Sequence, residues 1–376
     1  MRFLFFISVA VVFAYPANGQ TCTCESNFEW VKKTFEENDA GFQYVIDKKG
    51  LAAYNIHNQL MSEKIKAAET LTECIGLLRE WLMFFRSGHI GIEGLINETT
   101  NSTSQNVSQT SQSVSQTSQT ISQTAQKPET WNPFMDELNA TTLYLRIPSF
   151  EPNQKQTIDK MLADNKEKIL KTENLIIDVR GNGGGSDGSY AELIPFLYTN
   201  PIRTIGVEYL FSPILNNQIL VELSTLNFDD MDEETRQLVK SVSNKLEGSK
   251  FGEFVNLYDN ESISIFQQST VYKYPKKIGI IIDGGCGSTT EQFLLAAKQS
   301  NKVKLFGVTT FGALDISNLN DIESPCKEFR LWYCMTRSLR IPEFAIDGIG
   351  LQPDYYLDKT IPPHKWVEFV NEILNQ

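Results

Sequence analysis

Two hydrophobic patterns divide the chain. Between residues 25 and 85, stretches such as NFEWVKKTFEEN and SEKIKAAETLTECIGLLREWLMFF carry apolar residues at helical spacing with charged residues between them. From Thr141 onward, short β-rich runs alternate with helical ones, and LIIDV and IGIIID are almost continuously apolar, as in strands covered on both faces. The pattern predicts a small N-terminal helical region followed by an α/β domain with a largely parallel sheet.

A polar segment separates these two parts. About residues 98–127 form a near-repeat of Ser, Gln and Thr with almost nothing large enough to bury, which predicts a disordered insert. Sequons at Asn97, Asn101 and Asn106 would be glycosylated in a eukaryotic secretory pathway, although nothing in the sequence establishes such a host.

The first twenty residues, MRFLFFISVAVVFAYPANGQ, place one Arg before an apolar run and end in small residues, which predicts a secretory signal peptide cleaved after Gly19. No later stretch approaches the roughly 18 uninterrupted apolar residues of a membrane span. We therefore expect a secreted or periplasmic protein without a stable membrane anchor. The predicted boundaries are 1–20 for the signal peptide, 21–97 for the helical region, 98–128 for the insert and 129–376 for the α/β core.

Composition and charge narrow the function. The chain has 376 residues, 41% of them hydrophobic, which is enough for a large core. The formal net charge of −12 repels nucleic acid and anionic lipid, so we expect no nucleic-acid partner. Three scattered histidines without His-x-x-x-His spacing argue against a zinc site, and we predict neither a metal nor a cofactor.

Six cysteines in an exported chain are candidates for disulfides. Cys326 and Cys334 flank KEFRLWY, a stretch that could fold as a short hairpin, and we expect them to be bridged. A second bridge would use two of the remaining N-terminal cysteines, with one thiol left over and Cys286 free. The candidates for it are Cys22, Cys24 and Cys74.

The stretch GGCGSTTEQF, residues 284–293, directly follows an apolar strand and opens a helix. Ser288 with Glu291 three residues later has the spacing of a capping box, which is a purely structural interpretation. A serine at a glycine-rich strand-to-helix turn is also exposed above the sheet, beside the free amides of a helix start. The position is therefore either a cap or a nucleophile.

The stretch RGNGGG, residues 180–185, also follows a buried strand. A dinucleotide loop would need glycine or alanine at position 186, where this chain has serine, and a following acidic residue on a second strand. We therefore favour amides that face a developing oxyanion. His89 lies in FRSGHIGI, in a glycine-flanked turn after a helix; a lone histidine is usually structural. His57 and His364 lie in ordinary amphipathic stretches and need no functional account.

Four motifs, in chain order, resemble the core of the C-terminal processing (tail-specific) serine peptidases and their tricorn relatives. They are YLRIPSF, LIIDVRGNGGG, IGIIIDGGCGSTTEQFLLAAKQSNKVKLFGVTTFG and IDGIGLQPDYYL. The resemblance covers residues 130–370 well and 27–97 weakly. It implies a ClpP/crotonase-like α/β core with a largely parallel sheet and covering helices, and a peptide or protein substrate.

The resemblance also implies roles for single residues. The family's nucleophile falls on Ser288, and its oxyanion donors fall on the amides of Gly184 and Thr289. The lysine base of the processing peptidases falls on Ala313, in TTFGALD, so a Ser–Lys dyad is excluded at that position.

The tricorn-like branch instead takes its base from a turn after the helical region, which gives His89, and its carboxylate from the segment before a Gly-x-x-Pro-Asp motif, which gives Asp347. Two departures stand against this match. The tricorn pattern has a serine directly before the histidine, where this chain has Gly88, while Ser87 lies one position away. The chain also has no PDZ domain between the helical region and the core.

The leading hypothesis is a secreted serine peptidase with Ser288 as nucleophile and His89 as general base, working through an acyl-enzyme. The alternative is a non-catalytic ligand- or peptide-binding relative of the same fold, which the loss of lysine at Ala313 would fit. A third possibility is thiol chemistry at Cys286. The sequence leaves the substrate and the oligomeric state open.

Overall fold

A computed structural model describes residues 22–95, 132–225, 233–257 and 262–376. The predicted signal peptide and the predicted Ser/Gln/Thr insert lie outside these residues. Within the described ranges the helices are α1 Cys24–Asn38, α2 Phe42–Lys49, α3 Leu51–Lys66, α4 Leu71–Leu82, α5 Lys155–Ile169, α6 Ile194–Leu197, α7 Pro213–Thr225, α8 Glu233–Gly248, α9 Thr289–Ala297 and α10 Trp366–Leu374.

The strands in the same ranges form three sheets. Their bounds are β1 Gly91–Gly94, β2 Phe134–Asn139, β3 Thr142–Arg146, β4 Asn174–Asp178, β5 Ile202–Ile205, β6 Val207–Leu210, β7 Phe254–Val255, β8 Ile263–Phe266, β9 Lys277–Ile282, β10 Val303–Gly307, β11 Ile316–Glu323, β12 Phe329–Ser338 and β13 Tyr355–Tyr356.

The central sheet has six strands in the order β13-β10-β9-β4-β3-β2. All its pairings are parallel except β2 with β3, which is antiparallel. Every residue of β4 is buried, because helices cover both faces of the sheet, and this explains the apolar run of residues 175–177 at its centre. The predicted α/β core with a largely parallel sheet is confirmed.

A second, antiparallel sheet joins the beginning of the chain to its end. Its order is β1-β12-β6-β7, with β11 also paired to β12. Gly91 lies opposite Trp332 and Gly94 opposite Phe329. The sheet was not predicted from the sequence, and it attaches the residues after α4 directly to a strand of the C-terminal third.

The N-terminal helices pack against this second sheet. Phe28, Leu78 and Trp81 are fully buried together with Phe329 and other inward-facing residues of β12. α4 begins with a complete capping box, in which the Thr70 hydroxyl accepts from the Glu73 amide at 3.2 Å. The helical region therefore shares a hydrophobic core with β12.

The predicted disulfide between Cys326 and Cys334 is wrong. Cys326 lies in the turn between β11 and β12, whereas Cys334 lies in the middle of β12 opposite Leu319. Because an extended strand advances about 3.3 Å per residue, the two sulfurs are carried apart. Cys326 instead bonds to Cys22, Cys24 bonds to Cys74, and the thiols of Cys286 and Cys334 are free and buried.

Across the four described ranges, no helix combines the length and the apolar character needed to cross a membrane.

Candidate active site

The turn that presents Ser288 connects β9 to α9 and is tied to its neighbours by backbone hydrogen bonds. The Ser288 amide donates to the Ala313 carbonyl at 2.9 Å, and the Phe311 amide donates to the Cys286 carbonyl at 2.8 Å. Asp283 Oδ1 accepts from the amides of Gly285 and Gly181, so it joins this turn to the second glycine-rich loop. The position of Ser288 is thus set by two other loops.

Ser288 has a backbone conformation that a residue with a side chain rarely adopts. Its φ is 55° and its ψ is −126°. The predicted capping box is absent, because a cap residue needs an extended backbone to direct its hydroxyl at the third helix amide. Among the described residues, the Ser288 hydroxyl makes no hydrogen bond.

Glu291, the other member of the predicted box, has a different role. Its carboxylate is fully buried and accepts from the Thr310 hydroxyl at 2.5 Å and from the amides of Gly312 and Ala313 at 2.8 Å each. It therefore fixes residues 310–313 against the first turn of α9.

The glycine loop after β4 lies directly against the Ser288 turn. Gly184 has a φ of 112°, and a methyl group at this position would lie 2.8 Å from Ser288 Cβ and 2.9 Å from the Thr289 amide nitrogen. Such a close approach requires glycine. The Gly184 and Thr289 backbones, both expected oxyanion donors, are therefore adjacent to each other and to Ser288.

The two expected donors differ in their present partners. The Gly184 amide donates to Asn182 Oδ1 at 3.0 Å. The Thr289 amide, at the start of α9, has no hydrogen-bond partner in the described part of the chain. The Thr289 amide is thus free to donate to a substrate oxygen, whereas the Gly184 amide must first break its hydrogen bond to Asn182.

His89 lies in the turn between α4 and β1, with a φ of 57°. Its Nδ1 lies 2.8 Å from the Ile316 carbonyl oxygen. Because a carbonyl only accepts, Nδ1 carries the proton and Nε2 holds the free electron pair. Nε2 makes no hydrogen bond to any described residue. The tautomer is the one a general base needs.

Burial lowers the pKa of His89 below its ordinary value. The hydrogen bond to Ile316 and the charge of Asp347 oppose this effect, while the guanidinium of Arg86 adds to it. A lowered pKa keeps the imidazole neutral, and so able to accept a proton, at neutral pH.

Asp347 contacts the backbone beside His89 rather than the imidazole. Its carboxylate accepts from the amides of Leu314, Asp315 and Ile316 at 2.6, 2.7 and 3.1 Å. Burial raises the pKa of Asp347, as does the charge of Asp315, and the three amide bonds oppose that rise. Asp347 therefore holds in place the residue whose carbonyl orients His89.

Residues 311–316, which we call the connecting segment, bring the two turns together. A methyl group at Gly88 would lie 2.7 Å from Ala313 Cβ and 2.8 Å from the Phe311 ring, so the His89 turn packs directly on this segment. The Ala313 carbonyl in turn accepts from Ser288. The structure thus places Ser288, His89 and Asp347 around one six-residue segment.

Ala313, which the sequence resemblance aligns with the lysine of the processing peptidases, is buried against the His89 turn. A long side chain here would need the space that the turn fills. The absence of lysine and the presence of the His89 turn are therefore sterically matched. For the same reason Gly88 cannot be the serine of the tricorn pattern without displacing Ala313 or Phe311.

The Cys286 thiol is fully buried behind the Ser288 turn. Sγ donates to the Val179 carbonyl at 3.1 Å, and burial raises the pKa of the thiol well above its ordinary value. A buried, protonated thiol is a poor nucleophile.

In the ranges that the structure describes, no group of three or more His, Cys, Asp or Glu side chains is arranged to hold a metal ion.

Sequence reasoning missed the Ile316 carbonyl, the Asn182 side chain and the Arg86–Asp39 ion pair behind His89. A backbone carbonyl leaves no sequence signal. Asn182 was visible only as part of RGNGGG, and Arg86 only as a charge three residues before His89.

The six-stranded sheet, its covering helices and the glycine-rich turn after β9 define a ClpP/crotonase-like α/β protein. The chain belongs to peptidase family S41, which residues 141–357 match. The resemblance to the tail-specific serine peptidases seen in the sequence is thereby confirmed. No curated protein sequence matches this chain.

Two solved structures share the fold over almost the whole chain. Mature CPAF superimposes with a TM-score of 0.63 at 12% identity, covering 94% of this chain and 96% of that one. A candidate peptidase from Parabacteroides merdae ATCC 43184 superimposes with a TM-score of 0.54 at 15% identity, covering 94% and 97%. At these identities the similarity establishes the fold.

Proposed function

We propose that this protein is a secreted serine peptidase that cleaves peptide bonds through an acyl-enzyme on Ser288, with His89 as general base. The main support for the proposal is the position of the connecting segment. It contacts the turns of both Ser288 and His89, while the Ser288 hydroxyl and His89 Nε2 are left without partners among the described residues.

In the proposed reaction, His89 Nε2 takes the proton of the Ser288 hydroxyl as Oγ attacks the carbonyl carbon of the scissile bond. The new oxyanion accepts from the Thr289 amide, a donor worth about 3 kcal/mol of barrier in comparable sites. The protonated imidazole then donates its Nε2 proton to the leaving amine, and the C–N bond breaks. Water, deprotonated by the same nitrogen, then attacks the ester carbonyl. The bond from the carbonyl carbon to Ser288 Oγ breaks, and the imidazolium gives the proton to Oγ.

The imidazolium formed in this reaction is stabilised from the Nδ1 side. The Ile316 carbonyl accepts from Nδ1, and the Asp347 carboxylate provides a negative charge nearby. Asp347 also holds the backbone of the connecting segment through its three amides. We assign Asp347 the role of positioning residue.

One observation favours the second candidate function, a binding protein without catalysis. The Gly184 amide is engaged by Asn182, so only one of the two expected oxyanion donors is free. An enzyme would have to exchange this bond for the substrate oxygen, whereas a binding protein has no such requirement.

Labelling with a fluorophosphonate probe distinguishes the two functions, because it requires both a nucleophile and its activation. We expect the wild type and Cys286→Ala to be labelled, and Ser288→Ala and His89→Gln to be unlabelled. Peptide products from a mixed peptide library, identified by mass spectrometry, give the second readout. An unlabelled wild type that binds library peptides without cleaving them would establish the binding protein instead.

A further inference from the structure

Behind His89, the side chains of Arg86 and Asp39 form a buried ion pair. Nη1 and Nη2 of Arg86 lie 2.7 and 2.6 Å from Oδ1 and Oδ2 of Asp39, which is the two-pronged geometry that a guanidinium and a carboxylate share. The Arg86 side chain is 9% exposed and that of Asp39 is fully buried. The pair lies beside the His89 turn, to whose backbone Arg86 is hydrogen-bonded.

The remaining donors of Arg86 are directed at the backbone that presents His89. Nε donates to the Gly88 carbonyl at 3.2 Å, and Nη2 donates to the His89 carbonyl at 3.1 Å. The thiol of Cys334 donates to the same His89 carbonyl at 3.2 Å. His89 has a φ of 57°, and the two carbonyl groups that flank this backbone bond, those of Gly88 and His89, both accept hydrogen bonds from side chains.

Asp39 anchors this arrangement to two other elements. Oδ1 also accepts from the Gly41 amide, just before α2, and Oδ2 accepts from the Cys334 amide in β12, each at 3.0 Å. The space is closely filled, since a methyl group at Gly41 would lie 2.8 Å from Arg86 Nη1. A lysine, with a single charged nitrogen, would not reproduce the fork at position 86.

We propose that Arg86 and Asp39 are positioning residues for the candidate base: they hold the turn that places His89 Nε2 toward Ser288. This inference rests on the proposed function in assigning His89 as the base. A buried ion pair is commonly structural, so the experiment has to separate loss of folding from loss of positioning.

The charged and titratable groups around His89 determine what such an experiment will show. Arg86 lies on the same turn and Asp39 behind it, Asp347 provides a nearby negative charge from the loop before β13, and Asp315 lies beside Asp347. Burial raises the pKa of the Cys334 thiol, which keeps it uncharged. Removing the Arg86 cation thus removes the positive neighbour and leaves the anions, which favours the imidazolium.

The test compares Arg86→Lys, Arg86→Gln and the uncharged pair Arg86→Gln/Asp39→Asn with the wild type. Arg236→Lys is the control for the change of arginine to lysine, because Arg236 Nη1 bonds Glu233 Oε2 at 3.1 Å within α8, a helix that contributes no residue to the Ser288 turn or the His89 turn. We measure kcat and KM on one peptide, the fraction folded by near-UV circular dichroism, and the His89 pKa by NMR. The chain has only three histidines, so the His89 signal is the one lost in His89→Gln.

We expect Arg86→Lys to remain folded and to lose about 100-fold in kcat with little change in KM, the size of effect that a displacement near 1 Å produces. In Arg86→Gln the His89 pKa should rise, whereas in Arg236→Lys kcat and the His89 pKa should both stay at the wild-type values. If Arg86→Gln does not fold, Arg86→Lys still measures the loss of kcat with the positive charge retained, and the uncharged double variant measures it with both charges removed.

The proposal is overturned if kcat falls only in proportion to the folded fraction and the His89 titration is unchanged in the folded molecules. It is equally overturned if Arg86→Lys retains wild-type kcat. If the wild type itself cleaves no peptide, the proposed function fails. In that case the His89 titration, together with its chemical shift in Arg86→Lys, still decides whether the pair holds the imidazole.

Discussion

Replacing Ser288 by glycine should make the protein more stable than replacing it by alanine. The reason is the backbone at this position, where φ is 55° and ψ is −126°. Alanine keeps the β-carbon that makes this conformation unfavourable, and glycine removes it. Neither variant loses a helix cap, because the Ser288 hydroxyl makes no capping bond.

The expected difference follows from two opposing terms. A residue with a side chain held in such a conformation costs on the order of 1–3 kcal/mol. Glycine gives the unfolded chain extra freedom, which reduces the benefit by about 0.4–1 kcal/mol. The Ser288→Gly variant should therefore be more stable than Ser288→Ala by about 1.3 kcal/mol, the difference between the midpoints of the two ranges.

The assay is urea unfolding followed by tryptophan fluorescence, with the slope of the transition compared between variants. Ser186, in the other glycine-rich loop, is the matched control: its φ is −118°, its ψ is 136°, and its side chain also makes no capping bond. There glycine should be less stable than alanine by about 0.4–1 kcal/mol. Equal stability of the two Ser288 variants, with the Ser186 pair behaving as expected, would refute the strained turn.

Three further predictions concern the site. His89→Ala should lower kcat by several orders of magnitude and Asp347→Asn by less, because Asp347 acts through the backbone; equal losses would contradict this order. Since burial lowers the pKa of His89 and the neutral imidazole is the active form, the acid limb of kcat/KM against pH should lie below about 6.5, and a limb above that value would disprove it. Gly88→Ala should reduce kcat strongly, because its methyl group would meet Ala313 and Phe311, and unchanged kinetics would show that the turn moves freely.

Much of the fold was predictable because buried parallel strands leave a strong signal. β4 contains the apolar run LII and β9 the run IGIII, and each strand is followed by a glycine-rich turn. The antiparallel sheet was not predictable in this way. β11, ISNLNDIE, is mostly polar, and the pairing of Gly91 with Trp332 joins residues far apart in the chain. Which residues pair in two strands so far apart in the chain is decided by tertiary packing, which the local sequence does not show.

The candidate site was predictable only in its side chains. Ser288, His89 and Asp347 lie in motifs, and the structure groups them around the connecting segment. Their link was not visible, because the Ile316 carbonyl is a backbone atom that every residue has. Nor could spacing reveal that Cys326 lies close to Cys22 rather than to Cys334.

The Cys22–Cys326 disulfide determines what a cut between the candidate base and the candidate nucleophile would do to the molecule. The candidate base precedes residues 96–131, and the candidate nucleophile follows them. A single cut in that interval would divide the chain into two, yet this disulfide would still join the pieces, whereas Cys24–Cys74 lies within one of them. With β1 paired to β12 as well, the nicked molecule would be a two-chain protein with its site intact. After reduction of the disulfide, only non-covalent contacts such as the β1–β12 pairing would hold the two pieces together. The approach of His89 to Ser288 would then depend on the protein concentration.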